Sequence, residues 1–373
     1  MDYSDATPDI TYSYDRQGRQ VQVVQGGSTT RRWLDVAGNR LGESYTGGPL
    51  AGLRLTNQYD HFMRRTNLAV LNSQGAVLAS TAYGYDEASR LSRVNSGTVA
   101  AGYSYLANSP LVGQIGFTNN GAWRMTTTQA YDDLNRLTEI SSAPSGSAAV
   151  SFSYDYNLAH QRVLRREGDG SYWRYEYDAL GQVRSGKKYW ADGTPVAGQQ
   201  FEYAFDDIGN RVWTGAGGDE GGTGLRPVSY NANALNQYTT RTVAGAVDVL
   251  GIAFATNSVT VNGQSVYRKG EYFRKELSVD NSSAPVWTSI TVAATGQASV
   301  SGQALVPKAQ EPFWHDADGN LLSDSLWTNL WNAENRLVLT ESAAGVPTGA
   351  RLRETWSYLP DGRWIARVVS TTS

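Results

Sequence analysis

The chain has 373 residues, of which 18% are charged and 11% aromatic, and its formal net charge is −3. This aromatic content can build a large core, which excludes wholesale disorder, and the balanced charge gives no basic surface for DNA or RNA. The absence of cysteine excludes disulfides, thiolate metal sites and a cysteine nucleophile. Because there are only three histidines, catalysis that depends on histidine is not expected either.

The N-terminal segment, MDYSDATPDI, has no basic stretch followed by an apolar one and so does not predict a signal peptide. No run of 18 apolar residues occurs, so the sequence predicts no membrane-spanning helix. We expect a piece of a longer protein, and the sequence leaves its compartment open.

One short pattern recurs along the chain: an aromatic residue, Asp, a turn containing Gly or Asn, then Arg and an aliphatic residue. Examples are YDRQGRQV from Tyr14, YDEASRLS from Tyr85 and FDDIGNRV from Phe205. The intervals between successive copies from Asp15 to Asp206 are 20, 25, 26, 46, 23, 23 and 28 residues, and 46 is twice 23. A period of roughly two dozen residues accommodates two strands and two turns, which predicts one β-hairpin per repeat.

Each position of the pattern suits a hairpin. Aromatic residues alternate with other residues before the Asp, as in Phe201, Tyr203 and Phe205, which is the period of a half-buried strand. The Asp can accept a hydrogen bond from the backbone N–H two residues on, and Gly or Asn near it tolerates the positive φ of a tight turn. The structural positions that we predict on this basis are Tyr14, Asp15, Gly18, Asp35, Gly38, Tyr59, Asp60, Tyr85, Asp86, Tyr131, Asp132, Tyr154, Asp155, Tyr177, Asp178, Gly181, Phe205, Asp206, Gly209, Asp316, Gly319, Trp331, Asp361 and Gly362.

These copies resemble the YD repeats of Rhs proteins, of Tc toxin C components and of teneurins. The resemblance covers about residues 15–240 and 311–370. It implies that the hairpins pair side by side into one long sheet that coils into a hollow shell, which encloses a C-terminal segment in the bacterial members and forms an extracellular scaffold in the teneurins. Because the chain is shorter than the family's shells and lacks their PxxxxDPxGL-like segment, we expect a partial turn of the spiral.

The repeat is interrupted between residues 242 and 307. There, Asn262-Gly263 lies between Thr260-Val261 and Gln264-Ser265-Val266, which indicates a type I′ hairpin. Short alternating runs surround it and predict a small β-sandwich, similar to Ig-like modules of bacterial surface and carbohydrate-active proteins. The predicted fold class is therefore all-β, with shell segments at 1–241 and 308–373 and an inserted Ig-like sandwich at 242–307.

Motifs for catalysis or cofactor binding are absent from the sequence. It contains no phosphate-binding glycine motif, no G-x-S-x-G elbow and no H-E-x-x-H. The HDADGN segment from His315 resembles a calcium loop, but Trp327 occupies the position of its bidentate Glu. The pairs Asp132-Asp133 and Asp206-Asp207 are adjacent, and neighbours on a strand point to opposite faces, unlike the paired carboxylates of a glycosidase. We therefore predict no catalytic, metal or cofactor-binding residues and a structural role for these aspartates.

Two recurring side chains have alternative interpretations. Tryptophans such as Trp33, Trp123 and Trp364 can stack on sugars, although cross-strand packing is favoured. Arginines near the turns can bind an acidic partner, although pairing with the Asp of their own repeat is favoured; they are Arg19, Arg40, Arg65, Arg90, Arg136, Arg211, Arg336 and Arg363. Asn281-Ser282-Ser283 also fits a glycosylation acceptor.

The favoured function is a non-enzymatic shell segment that encapsulates or displays a polypeptide such as a C-terminal toxin. The alternatives are a cell-surface adhesion or glycan-binding module and, third, a polysaccharide-acting enzyme. The expected partners are other segments of a longer YD-repeat chain or an enclosed polypeptide. Open strands near Tyr12–Tyr14 and Trp364–Val369 also predict edge-to-edge self-association or capping. The resemblance favours a secreted or cell-surface location as part of a longer bacterial protein.

Overall fold

The computed structural model describes residue 3 and residues 5–372. Its regular elements are β-strands, apart from the 3-10 helix Thr348–Ala350. The chain forms two compact units: the first ends at Tyr154 and includes Ser357–Ala366, and the second comprises Asp155–Trp356 and the residues from Arg367 onward. Within the described residues we find no helix of the length and apolarity that a bilayer requires.

The first unit is a meander in which every strand pairs antiparallel with the next. Its strands are β1 (Ile10–Tyr14), β2 (Gln20–Gln25), β3 (Ser28–Leu34), β4 (Arg40–Thr46), β5 (Arg54–Tyr59), β6 (Arg65–Leu71), β7 (Val77–Tyr85), β8 (Leu91–Ser96), β9 (Val99–Tyr105), β10 (Val112–Asn119), β11 (Ala122–Tyr131), β12 (Leu137–Pro144) and β13 (Val150–Tyr156), the last two residues of which belong to the second unit.

The second unit begins with a meander of the same kind. Its strands are β14 (Arg162–Glu167), β15 (Tyr172–Tyr177), β16 (Val183–Tyr189), β17 (Pro195–Phe205), β18 (Arg211–Gly217), β19 (Leu225–Ala232) and β20 (Tyr238–Thr242). Each pairs antiparallel with the next. The same local pattern of alternating aromatic residues and turn residues therefore gives the same hairpins in both units.

A small sandwich follows β20. Its strands are β21 (Ala246–Ile252), β22 (Val259–Val261), β23 (Gln264–Ser265), β24 (Tyr267–Lys269), β25 (Tyr272–Ser278), β26 (Val286–Ala294) and β27 (Val300–Val306). They form a three-stranded sheet of β21, β25 and β24 and a four-stranded sheet of β23, β22, β26 and β27. Val259 and Val261 of one sheet pack with Phe273 and Leu277 of the other in a buried core. Asn262 and Gly263 have φ of 49° and 74°, as the predicted type I′ turn requires.

The chain then returns to hairpins. Their strands are β28 (Gln310–Pro312), β29 (Trp314–His315), β30 (Leu321–Ser323), β31 (Trp327–Trp331), β32 (Leu337–Ser342), β33 (Leu352–Tyr358) and β34 (Trp364–Thr371). Strand β28 pairs with β20, and β29–β34 form a six-stranded sheet.

The prediction of an all-β fold made of successive hairpins with a small inserted sandwich is confirmed. The coiling of the sheet and the boundaries 1–241, 242–307 and 308–373 stay predictions. The edge near Tyr12–Tyr14 belongs to β1, which pairs with β2. Trp364–Val369 lies within β34, at the end of its sheet, and self-association through these edges stays a prediction.

Candidate functional site: turns joined across hairpins

The turn at Asp15 shows the geometry that recurs along the chain. The backbone N–H of Asp15 donates to the carbonyl oxygen of Arg19 at 2.9 Å, and the N–H of Gly18 donates to that of Asp15 at 3.0 Å. Gly18 has a φ of 75°, where an L side chain is strained. The strand register shifts beside Tyr14. These features describe a short hairpin loop with a residue in the left-handed region and a β-bulge.

The carboxylate of Asp15 stabilises this turn with both oxygens. Oδ1 accepts the backbone N–H groups of Gln17 and Arg19, each at 2.9 Å. Oδ2 accepts Nε–H of Arg19 at 2.7 Å. Hydrogen bonds from the Arg19 backbone and side chain hold the pKa of Asp15 below its ordinary value, because they favour the charged form.

Other aspartates of the pattern cap their turns in the same way. In each, Oδ1 accepts the backbone N–H four residues on, and Oδ2 accepts a side-chain N–H of that same residue. The aspartates with this arrangement are Asp35, Asp60, Asp86, Asp132, Asp206 and Asp316. Asp178 uses Oδ1 to accept the N–H groups of Leu180 and Gln182. The predicted glycines Gly18, Gly38, Gly181, Gly209, Gly319 and Gly362 all have positive φ.

The repeat tyrosines bind the preceding hairpin. The hydroxyl of Tyr85 donates to the carbonyl oxygen of Arg65 at 2.8 Å, and that of Tyr59 donates to Arg40 at 3.1 Å. Each acceptor is the first residue of the return strand in the preceding hairpin. We call these contacts the inter-hairpin bonds; further examples join Tyr105 to Leu91, Tyr131 to Val112 and Tyr177 to Arg162 at 2.7, 3.0 and 2.7 Å.

Trp331 replaces tyrosine in this role. Its indole Nε1–H donates to the carbonyl oxygen of Leu321 at 2.9 Å. The inter-hairpin bond therefore needs a large aromatic residue with a polar hydrogen at its tip. Phe205 cannot make the bond because it has no such donor.

A second set of bonds joins neighbouring turns. Nη1–H of Arg90 donates to the carbonyl oxygen of Ser109 at 2.6 Å while Nε–H donates to Asp86 at 2.7 Å. The guanidinium of Arg90 also lies 4.3 Å from the ring centre of Tyr105. The other turns joined in this way are Arg19 to Asp35, Arg64 to Ser89, Asn210 to Asn236 and Asn320 to Asn335. We call the joined turns within each unit the turn ladder.

Asp155 does not lie where the pattern predicts. It is inside β13, and its two oxygens accept hydrogen bonds from Arg166 at 2.9 and 2.8 Å. The turn begins two residues later, at Asn157, whose Oδ1 accepts the N–H groups of Ala159 and Gln161 at 3.0 Å each. The physical reason is that β13 continues for two more residues, to Tyr156, so the turn begins after Tyr154 and Asp155.

The last turn also differs from the prediction. It begins at Leu359, whose N–H donates to the carbonyl oxygen of Arg363 at 2.8 Å, while Gly362 donates to Leu359. Asp361 is thus the third residue of the turn, and it accepts Nε–H of Arg363 at 2.9 Å.

The predicted arginine partners need correction as well. Arg19, Arg90 and Arg136 pair with the Asp of their own repeat. In three other repeats the side chain that contacts the Asp is one position earlier: Asn39, Arg64 and Asn210 hold the carboxylate where Arg40, Arg65 and Arg211 were predicted. The side chain four residues after the Asp is the one in reach, because the bulge places the next residue on the opposite face.

Sequence reasoning missed turns with the same hydrogen bonds. They begin at Asn72, Glu167, Trp190 and Asp219. It also missed Met63, Ser89 and His160, whose φ values are 62°, 63° and 61°. These residues can be recognised by their position, because each lies three residues after the first residue of its turn. Their residue type does not indicate a positive φ.

A buried carboxylate in the first unit was also missed. Glu43 is 1% exposed, accepts the hydroxyl of Tyr45 at 2.7 Å and pairs with Arg32, Arg40 and Arg363. Burial opposes its ionisation, but hydrogen bonds from Tyr45 and Arg32 outweigh burial, so the pKa of Glu43 lies below its ordinary value. Burial and the bond to Glu43 raise the pKa of Tyr45 to about 12.

The environments of Asp206, Asp316 and Asn281 bear on the enzyme alternative and on the glycosylation acceptor. Hydrogen bonds from Asn210 and Asn320 lower the pKa of Asp206 and Asp316, whereas a general acid needs a raised pKa. Asn281 is buried, and its Nδ2–H donates to the carbonyl oxygen of Pro307 at 2.7 Å, so the amide is not accessible to glycosylation.

Some tryptophans are exposed, which bears on the glycan-binding alternative. Trp33, Trp123 and Trp364 are between 41% and 59% exposed. A cavity of about 520 Å³ at one end of the sandwich is lined mainly by apolar residues such as Val292 and Phe254, and no tryptophan lines it. Glycan binding therefore stays a prediction for the exposed tryptophans.

Comparison with known proteins gives matches by structure. No family model and no curated protein sequence matches this chain. The crystal structure of TcdB2-TccC3 is similar with a TM-score of 0.49 and 13% identity over 97% of this chain and 20% of that chain. The Photorhabdus luminescens Tc holotoxin pore with a TccC3 mutation has a TM-score of 0.43 and 13% identity over 98% and 20% of the two chains.

The crystal structure of TcdB2-TccC3-Cdc42 is similar with a TM-score of 0.43 and 12% identity, covering 98% of this chain and 20% of that chain. The present chain thus spans about a fifth of the length of the solved chains that it matches.

Proposed function

We propose that this chain is a non-enzymatic wall segment whose hairpins enclose or display another polypeptide. The observation that carries the proposal is the inter-hairpin bond, as between Tyr85 and Arg65, which recurs in both units. Because a hairpin with this bond donates to its predecessor, as at Tyr59, Tyr85 and Tyr105, the arrangement extends by simple addition of repeats.

The turn carboxylates support a structural role over a catalytic one. Asp15, Asp86 and Asp132 each use both oxygens in bonds to an arginine of the same turn. Hydrogen bonds from those arginines lower the pKa of Asp15, Asp86 and Asp132. Such groups are committed acceptors, and a committed acceptor is a poor proton donor to a substrate.

The test co-produces this chain with the polypeptides encoded on either side of it and treats the mixture with a protease. The rate at which the neighbouring polypeptides are cleaved is measured. Wild type is compared with a variant that lacks three inter-hairpin bonds, Tyr85→Phe, Tyr131→Phe and Tyr177→Phe. The proposal expects the neighbouring polypeptides to be cleaved slowly beside the wild-type chain and faster beside the variant. Equal and rapid cleavage in both would contradict enclosure, and display would then be the remaining form of the proposal.

A further inference from the structure

Strand β27 of the inserted sandwich directs backbone groups toward an open edge. It is the last strand of its four-stranded sheet, where it pairs antiparallel with β26. The carbonyl oxygen of Thr291 in β26 accepts the N–H of Asn262 at 2.8 Å, and its N–H donates to Oδ1 of Asn262 at 2.7 Å, so both groups point away from β27. Backbone groups alternate in direction along an antiparallel strand. Ser301, which lies opposite Thr291, and Gln303 therefore direct their N–H and C=O groups away from β26, where a further strand can bond them.

The sequence around this edge contains none of the usual protection against pairing. Residues 281–307 include no charged side chain, although 18% of the whole chain is charged. Strand β27 has no proline and no register shift, and its residues 300–303 are exposed. Natural proteins protect an exposed edge with charge, proline or a β-bulge. An edge without these features is suited to receive another strand.

The inner face of the sandwich has unfilled space beside this edge. Val300 and Gly302 face inward, because they lie opposite Val292 and Ile290, which pack against the buried core. Val300 is nevertheless 70% exposed, and nothing lies within 4 Å of a Cβ built on Gly302. Val300 also lines the cavity of about 520 Å³. An inward-facing side chain of an added strand therefore has space to enter the sandwich.

One wall of the cavity is fixed by hydrogen bonds to a single guanidinium. Arg268 donates to the carbonyl oxygens of Ala253 and Phe254 at 3.0 Å each, and to that of Gly270 at 2.9 Å. It also donates to the carbonyl oxygen of Asn257 at 3.2 Å. These bonds hold the loop that lines one side of the cavity, including Phe254, which is 63% exposed. A wall that is already ordered does not have to be ordered when a ligand binds.

We propose that β27 receives an extended polypeptide segment, which adds a strand to the sheet and places a large apolar side chain in the cavity. The backbone groups of Ser301 and Gln303 call for an extended backbone, and the cavity selects the side chain, as in other cases of strand addition. Among the residues that line the cavity the charged one is Glu271, which favours a basic residue next to the apolar one. The inference rests on the proposed function in one respect, namely that the segment belongs to the polypeptide that the wall encloses or displays.

A second copy of this chain fits the edge less well. In an antiparallel pair of two β27 strands centred on Gln303, Val300 would face Val306 of the second copy. Val306 is 4% exposed, so it is already buried in its own sandwich. The next inward residue, Ala304, is too small to fill a cavity of about 520 Å³. A segment that carries an aromatic or leucine side chain fills the cavity better.

The test measures the binding of a fluorescent peptide, acetyl-KTFTLTK-amide, to the whole purified chain by fluorescence anisotropy. Gln303→Pro removes an N–H that points to the open edge and keeps the bonds to β26. Gln303→Thr is the matched control, because it changes the same side chain and keeps the N–H. We expect at least tenfold weaker binding for Gln303→Pro and less than a twofold change for Gln303→Thr. Replacing the Phe of the peptide by Ser, or both its Lys residues by Glu, should each weaken binding at least fivefold.

Amide hydrogen exchange of the wild type, followed by NMR, is a second measurement that needs no substitution. The bound peptide should slow exchange at least tenfold at Ser301 and Gln303. It should change exchange little at Gly302, whose N–H points to β26.

Several results would overturn the proposal. They include a failure of the peptide to bind and an unchanged exchange rate at Ser301 and Gln303 when it is bound. Dimers in sedimentation velocity that Gln303→Pro abolishes would show that the occupant is a second copy. Equally tight binding of N-acetylphenylalanine amide would show that the cavity takes a small apolar molecule. Because these measurements use the purified chain alone, a failure here leaves the wall proposal to its own protease test.

Discussion

The hydroxyl of Tyr85 donates to the carbonyl oxygen of Arg65 across a distance of 2.8 Å, which fixes one hairpin to the one before it. The tyrosine precedes the capping Asp86, so the residue that closes one turn and the residue that binds the previous hairpin are adjacent in sequence. This adjacency explains in physical terms why an aromatic residue and Asp recur together.

The inter-hairpin bond predicts a specific loss of stability. Tyr85→Phe removes one hydroxyl and keeps the ring, so the free energy of unfolding should fall by about 1 kcal/mol. The matched control is Tyr14→Phe, because Tyr14 is 58% exposed and should change stability by less than about 0.5 kcal/mol. Urea unfolding of the three proteins measures both, and equal stabilities would refute the role of the bond.

The turn caps predict a contrast between two aspartates of the same motif. Asp86→Ala removes the acceptor for Arg90 and should lower the melting temperature by about 2–4 °C, whereas Asp86→Asn, which keeps Oδ1, should lower it less. Asp155→Ala loses only a solvent-exposed pair with Arg166 and should change it by about 1 °C or less. A larger effect at Asp155 than at Asp86 in differential scanning calorimetry would contradict the assignment.

The left-handed turn position predicts substitutions of opposite sign. Gly18 has φ of 75° and nothing within 4 Å of a built Cβ, so Gly18→Ala should cost about 1 kcal/mol through backbone strain alone. Met63 has φ of 62° and an exposed side chain, so Met63→Gly should stabilise the chain by up to about 1 kcal/mol. Denaturant unfolding measures the two changes, and a shared sign would show that the side chains matter more than the backbone.

The sequence predicts the fold further than it predicts the site. Two local patterns, period-two alternation and an aspartate followed by Gly or Asn, are sufficient to predict the hairpin at most copies of the repeat, as at Asp15 and Asp206. These patterns fail where β13 is two residues longer, because the residue that caps the turn is then Asn157 and not Asp155. They also fail at Met63, because a rigid turn imposes positive φ on a residue that does not favour it.

Contacts between distant residues had no sequence signal. Glu43 and Arg363 are 320 positions apart and make no repeat motif together, yet they meet inside the first unit. Such pairs arise from tertiary packing, which neither periodicity nor spacing encodes.

The buried Glu43 cluster predicts a large effect of a small change. Glu43→Gln removes the buried carboxylate that Arg32 and Arg363 share and leaves them only Asp361, which should cost about 2 kcal/mol. Glu220→Gln, at an exposed turn tip, should change stability by less than about 0.5 kcal/mol. Urea unfolding distinguishes the two, and a loss below about 1 kcal/mol for Glu43→Gln would mean that the cluster is not a stabilising element.

The Tyr45 hydroxyl predicts how stability changes with alkaline pH. Because folding raises the pKa of Tyr45 from 10.0 to about 12, its contribution is fully present below pH 10 and is lost as the pH rises toward 12. Tyr45→Phe should therefore show a shallower loss of stability than the wild type over that range. Parallel curves from thermal unfolding at pH 9–12 would contradict the raised pKa.

The central claim, that side chains of one turn join it to the following turn, is tested most directly by amide hydrogen exchange in Asp86→Ala. Arg90 binds both Asp86 and the carbonyl oxygen of Ser109, so exchange should speed up at residues 86–90 and also in the following turn at 106–111. Asp155→Ala serves as the control and should leave both segments as protected as in the wild type. Faster exchange confined to 86–90, with 106–111 unchanged, would contradict a ladder of joined turns.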